Sequence, residues 1–288
     1  LGPRGQTSLC EQKPADRTLT EANRRLDALA ALEWLAAQPG VDATRLAVVG
    51  WSHGGQTVLA TADRSVDAVV QARVKPAALV AFYPGCTAFE KQWSYVPVAP
   101  LLVMSGALDN WTPALPCKNF SERRVAQSQA VRYVQYPDSY HAFDSANPVV
   151  ERSNVGGTKS GKAMVGGNPA ARAASAQEML QFLGAQLGFV PDLALLDESV
   201  HGGPLPPASG YAALVDADRL PHASENAKAL YREWLDKPFP RAVALSDKGA
   251  LARAYGRTAM EAAIKNCERF GNPCRLYAVD DRVVWSGP

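Results

Sequence analysis

Three short stretches carry residues whose types can act together. A serine, Ser52, stands between glycines in GWSHGG, directly after the apolar run 46–49. An aspartate, Asp109, follows a second apolar run in LLVMSGALDNWTP, and a histidine, His141, follows a further strand-like segment in VQYPDSYHAFD. A serine hydroxyl is a weak nucleophile at neutral pH. It needs an imidazole to take its proton and a carboxylate to orient and balance that imidazole. Serine, acid and histidine in that order, each just past a strand end, predict acyl transfer with Ser52 as nucleophile, Asp109 as acid and His141 as base. The alternatives stay open at this level. A serine between glycines also suits a plain tight turn, Asp109-Asn110 is an ordinary turn pair, and Asp138 and Asp144 stand near His141. The backbone N–H of His53, next after the serine, is the expected oxyanion donor, and its side chain is read as packing beside the turn. Trp51, Trp111, Tyr140 and Phe143 flank these positions and are read either as pocket lining or as simple packing. With four histidines and no CxxC, no metal set is expected, and this chemistry needs neither metal nor organic cofactor.

Such residues work only if elements hold them. Segments 45–49, 77–83, 99–105 and 130–136 read as buried strands, and 20–38, 54–62, 120–129 and 170–187 as helices. In the first helix Ala22, Leu26, Leu29, Ala30, Leu32 and Leu35 recur at helical spacing. Strands alternating with helices predict an α/β fold, a parallel sheet covered on both faces, with the three residues on loops at one sheet edge. Residues 151–168 read as a loop. Their GGTKSGKA approaches the phosphate-cradling GxxxxGK[ST] pattern but ends on Ala163, without the hydroxyl that would hold magnesium. A proline-rich stretch follows, then a helix over 225–235, a strand over 241–245, a helix over 260–270 and a hairpin of 275–279 with 283–285. The expected organisation is a catalytic domain over 1–188, a linker or wrapping segment over 189–224 and a small α+β module over 225–288.

The 288 residues, 47% hydrophobic and 20% charged with a net charge of +2, suit a globular chain with a full core. No basic run points to nucleic acid, and no stretch approaches the roughly 18 apolar residues of a membrane span. The chain opens on Leu1, so signal-peptide logic cannot be applied. Cysteines stand at 10, 86, 117, 267 and 274. They read as one or two disulfides plus a thiol in a periplasmic or secreted protein, or as reduced thiols in a cytosolic one. Cys86–Cys117, near the site, and Cys267–Cys274, within the small C-terminal unit, are the pairs to test.

GWSHGG, GALDNWTP and YHAFD together resemble the dienelactone hydrolase family of α/β hydrolases, over about residues 1–187. The resemblance implies an α/β-hydrolase fold, the roles given above to Ser52, Asp109 and His141, and a small ester or lactone as substrate. Founding members carry cysteine where this chain has Ser52, which implies a general carboxylesterase rather than a specific dienelactone hydrolase. A peptidase or acyltransferase on the same triad, and a degenerate hydrolase used as a binding module, are the competing readings. The opening LGPRGQTSLCE resembles the segment just after the family's first strands. On that reading the chain lacks those strands and the loop supplying a second oxyanion N–H. Its exposed sheet edge then invites a homodimer or strand swap. RAVALSDKGA and CRLYAVDDRVVW resemble a small module appended to some bacterial hydrolases.

Overall fold

The computed structural model describes residues 19–193, 203–237 and 239–287. The expectations resting on Cys10 and on the opening stretch lie outside the described residues. The chain divides into two compact units, residues 1–145 with 149–191, and residues 146–148 with 192–288.

The first unit runs α1 (Glu21–Ala36), β1 (Ala47–Trp51), α2 (His53–Ala62), α3 (Asp67–Gln71), β2 (Ala78–Phe82), α4 (Thr87–Glu90) and β3 (Leu101–Gly106). It continues through α5 (Ala114–Ala126), β4 (Val131–Tyr136), β5 (Val150–Ser153), β6 (Lys162–Val165) and α6 (Pro169–Leu187). Strands β1 to β4 pair in chain order, all parallel. The register sets Trp51 beside Phe82, Phe82 beside Met104 and Gly106 beside Tyr136, so the carboxyl ends share one edge. Successive side chains divide between the two faces. Leu79, Ala81, Leu101 and Val103 pack with Val58 and Leu59 of α2 and Phe120 of α5. Val80, Phe82, Leu102 and Met104 pack with Phe143 and with Ala171 and Phe182 of α6. Strands buried on both sides carry unbroken apolar runs, which is why they are visible in the sequence.

Three local expectations need correction. In α1, Leu29 and Leu32 are buried as expected, but Ala22, Leu26, Ala30 and Leu35 are exposed, Leu26 at 55%. The inner face instead includes Arg24 and Arg25, whose guanidinium groups reach His53 and the Ala60 carbonyl. Their stems cover apolar surface while the heads find acceptors. Helix α5 begins at Ala114, not Phe120. Pro116 suggests a break, yet it falls in the first turn, where a missing N–H costs no intrahelical bond. The expected loop 151–168 contains the antiparallel hairpin β5–β6. GGTKSGKA lies mostly in its turn, closed by Val155 N–H to the Gly161 carbonyl at 3.0 Å, with Gly157 and Gly161 at φ 91° and 69°.

The second unit has a 3₁₀ turn (Ala217–Arg219), α7 (Glu225–Leu235), β7 (Arg241–Ser246), β8 (Leu251–Tyr255), α8 (Ala259–Glu268), β9 (Cys274–Val279) and β10 (Arg282–Val283). Its antiparallel sheet has the order β10-β9-β7-β8, so β8 is a strand the sequence reading lacked. Ala242, Ala244, Ala252 and Ala254 pack with Ala259 and Ala263 of α8, small against small. Val243, Leu245 and Tyr277 pack with Tyr231 and Trp234 of α7 and with Trp285. A disulfide joins Cys267, near the end of α8, to Cys274, the first residue of β9.

Candidate active site

The turn after β1 is sharp. Ser52 sits at φ 54°, a region L-residues rarely occupy, and its N–H donates to the Phe82 carbonyl at 2.9 Å. A Cβ added to Gly50 would lie 2.3 Å from the Gly54 carbonyl oxygen, and one on Gly55 would lie 2.9 Å from that of Phe82. A Cβ on Gly54 would meet nothing within 4 Å. The turn therefore requires Gly50 and Gly55, and Gly54 only completes the motif. Helix α2 starts at His53, so the His53 amide belongs to a helix N-terminus, where negative charge is favoured.

The His141 loop crosses the end of β3, where a Cβ on Gly106 would lie 2.4 Å from the Ser139 carbonyl. This close approach brings the buried imidazole between the other two groups. His141 Nε2 lies 2.8 Å from Ser52 Oγ, and Nδ1 lies 2.8 Å from Asp109 Oδ2. Asp109 Oδ1 accepts the N–H groups of Trp111 and Thr112, each at 2.9 Å. Of the three carboxylates weighed for His141, Asp109 is the one at Nδ1. Asp144 instead accepts the Tyr83 hydroxyl at 2.8 Å, and Asp138 stands at φ 50° in the turn after β4.

Two neighbours escaped the sequence reading. Tyr83, at φ 35° just past β2, sets its ring edge-on to the imidazole at 4.6 Å. Burial, helped by the Asp144 charge, pushes its phenol well above the ordinary range, so it stays neutral. Thr112 places its hydroxyl 2.8 Å from Asp109 Oδ2, 3.0 Å from His141 Nδ1 and 3.0 Å from the Tyr83 carbonyl. The His53 side chain packs beside the turn and is held from α1. The Arg24 guanidinium bonds its Nδ1, and Glu21 lies 3.9 Å from its Nε2. Arginine can only donate, so Nδ1 accepts and the ring proton sits on Nε2.

A cleft of about 820 Å³ opens beside Ser52, with Glu21, His53, Gln56, Lys91, Trp111 and Gly156 on its walls. Of the aromatic residues read as pocket or packing, Trp111 is on this cleft. Its ring centre is 4.8 Å from the imidazole, and its Nε1–H donates to the Gly156 carbonyl at 2.9 Å. Trp51 stacks on Phe82, Phe143 is buried against Tyr83 and Tyr136, and Tyr140 is half-buried. Those three are not among the lining residues of the cleft. The hairpin β5–β6 is braced on the same loops. Met164 N–H donates to Asn110 Oδ1 and Gly166 N–H to the His141 carbonyl, each at 2.9 Å. A disulfide joins Cys86, on the cleft wall, to Cys117 in α5. Among the described residues no group of three or more His, Cys, Asp or Glu is placed to hold a metal ion, and no helix is long and apolar enough to cross a membrane.

A parallel sheet flanked by helices, with a serine on a strained strand-to-helix turn, makes the first unit an α/β-hydrolase fold. The Dienelactone hydrolase family profile matches residues 6–187, and the chain belongs to that family, a family of α/β hydrolases. Among solved structures it is similar to a candidate dienelactone hydrolase of Klebsiella pneumoniae subsp. pneumoniae, at 22% identity over 58% of this chain and 62% of that one, TM-score 0.42. It is also similar to a dienelactone hydrolase-like promiscuous phosphotriesterase from metagenomic libraries, at 22% identity over 57% and 62%, TM-score 0.44. A third is a carboxylesterase of Lactobacillus plantarum, at 15% identity over 64% and 73%, TM-score 0.44. The chain thus spans 62% of the length of the first two. No curated protein matches the sequence.

Proposed function

We propose that the protein is a serine carboxylesterase or lactonase, hydrolysing small esters through an acyl-serine. The observation that carries this reading is the relay from Ser52 Oγ through His141 to Asp109, with both links at 2.8 Å. His141 Nε2 takes the hydroxyl proton as Ser52 Oγ attacks the ester carbonyl carbon. Asp109 accepts the Nδ1 proton of His141 in a hydrogen bond, which fixes the tautomer and balances the imidazolium. The oxyanion forms at the N-terminus of α2, where the His53 N–H is its donor. The tetrahedral intermediate collapses, and His141 returns the proton to the leaving alkoxide. Water then attacks the acyl-serine, with His141 again as base, and frees the acid and the Ser52 hydroxyl.

The cleft supports a small substrate. Trp111 supplies an apolar plane beside the imidazole, and Glu21, Gln56 and Lys91 supply a polar rim of mixed charge. The two disulfides support an oxidising compartment. The test is Ser52→Ala with short-chain p-nitrophenyl esters. Turnover should fall to the buffer rate, and a variant as active as the parent refutes the assignment.

A further inference from the structure

The Asp109 carboxylate does not reach His141 unaided. Its Oδ1 is fixed by two backbone N–H groups, but Oδ2, the oxygen that meets the imidazole, has a second neighbour in the Thr112 hydroxyl. That hydroxyl is 2.8 Å from Oδ2, 3.0 Å from His141 Nδ1 and 3.0 Å from the Tyr83 carbonyl. A hydroxyl has one proton and two lone pairs. Donating to Oδ2 fills the carboxylate's acceptor sites. A lone pair then faces the Nδ1 proton, so the imidazole N–H is shared between Oδ2 and Thr112 Oγ1. Rotated by one well, the same proton goes to the Tyr83 carbonyl at the end of β2. With its proton on Oδ2, Thr112 joins the loops after β3 and β4 at the buried end of the relay.

We infer that Thr112 is a positioning residue of the site. Its hydroxyl donates to Asp109 Oδ2 and holds that oxygen in line with His141 Nδ1. This rests on the reading of Ser52, His141 and Asp109 as the reacting relay. Thr112 lies on the cleft wall, but its hydroxyl is turned to Asp109, His141 and Tyr83, so losing the hydroxyl alone falls on turnover rather than on substrate affinity. Hydrogen bonds to charged groups in a dry site imply a loss of about 10- to 100-fold when one is removed.

The experiment compares Thr112→Val, which keeps the shape and removes the hydroxyl, with Thr112→Ser, which keeps the hydroxyl and removes a methyl. Ser52→Ala is measured alongside on the same p-nitrophenyl ester. The expected result is a kcat about 10- to 100-fold lower for T112V with KM within about twofold of the parent, and recovery to within about threefold in T112S. If T112V does not fold, T112A takes its place against T112S, with the same expected contrast. A hydroxyl-free variant that keeps the parent kcat overturns the inference. So does a T112S as impaired as the hydroxyl-free variant, since packing and not the hydroxyl would then matter. If S52A itself stays active, the relay reading fails first. If S52A is inactive and T112V is parent-like, the role of Thr112 alone fails.

Discussion

The conservative change Asp109→Asn carries the most information about the relay, because the structure dictates which way the new amide turns. Oδ1 faces two backbone donors, the N–H groups of Trp111 and Thr112 at 2.9 Å each. An NH₂ placed there would oppose both, so the amide oxygen must take the Oδ1 position. The NH₂ then occupies the Oδ2 position, 2.8 Å from His141 Nδ1. It can only donate there, so Nδ1 must become the acceptor and the ring proton moves to Nε2. Nε2 faces Ser52 Oγ at 2.8 Å and, once protonated, cannot take the serine proton. The shape of the site is unchanged while its base is lost. A substitution that enforces the wrong tautomer lowers kcat by about 10⁴, equivalent to roughly 5.4 kcal/mol of barrier. The assay is steady-state hydrolysis of p-nitrophenyl acetate with the melting temperature measured in parallel. D109N should melt within a few degrees of the parent and retain little turnover. A folded D109N with a kcat within tenfold of the parent refutes the tautomer argument.

Gly54→Ala should fold and turn over like the parent, because a Cβ there meets nothing within 4 Å. Gly50→Ala and Gly55→Ala should lose soluble folded protein or at least tenfold in rate, since they clash at 2.3 and 2.9 Å with backbone oxygens. Removing the bridge that closes the 31-residue separation of Cys86 and Cys117, as C86A/C117A, should lower stability by about 3.7 kcal/mol in the chain-entropy treatment, read as a lower urea midpoint. An unchanged midpoint contradicts that figure. Buried phenols make the fold alkali-sensitive. Burial first of all raises Tyr83, Tyr95, Tyr136 and Tyr231 well above the ordinary tyrosine value, and Tyr277 to about 12. Unfolded, these groups lose their protons near pH ~10 while the native state keeps them. Stability is therefore whole below that pH and falls as pH rises through the folded values. Phenolate absorbance that appears with unfolding checks this, and full titration of the tyrosines in the native state contradicts it.

The parts of this site most legible in the sequence are those with a stereotyped local cause. Strands β1, β3 and β4 end on the turns and loops that carry Ser52, Asp109 and His141; the run of β3 is apolar because it is covered on both faces, while the edge strand β4 exposes Arg132 and Gln135. What escaped has no local pattern. Thr112 acts through contacts with residues 3 and 29 positions away, and nothing in DNWTP distinguishes its hydroxyl from any other. Tyr83 closes an apolar strand and reads as one more core residue, although its backbone leaves the extended region. The β5–β6 hairpin has no apolar alternation to betray it, since every residue of β5 is exposed. It is held by backbone pairing and by bonds to Asn110, Trp111 and His141. Arg24 and Arg25 read as solvent-facing charges on α1, yet they point inward, because His53 and the Ala60 carbonyl supply acceptors that only the tertiary fold brings near. Strand β8 was hidden by its alanines, which register as weakly apolar but are what lets α8 lie close.

We propose Ser52 as a nucleophile activated by His141. This role is tested most directly by labelling the intact protein with a fluorophosphonate and locating the adduct by peptide mass spectrometry. One equivalent of label on Ser52, lost in His141→Ala, is the predicted result. Ester hydrolysis by a protein that takes no label at Ser52, or labelling that persists undiminished without the imidazole, would rule out Ser52 as the activated nucleophile.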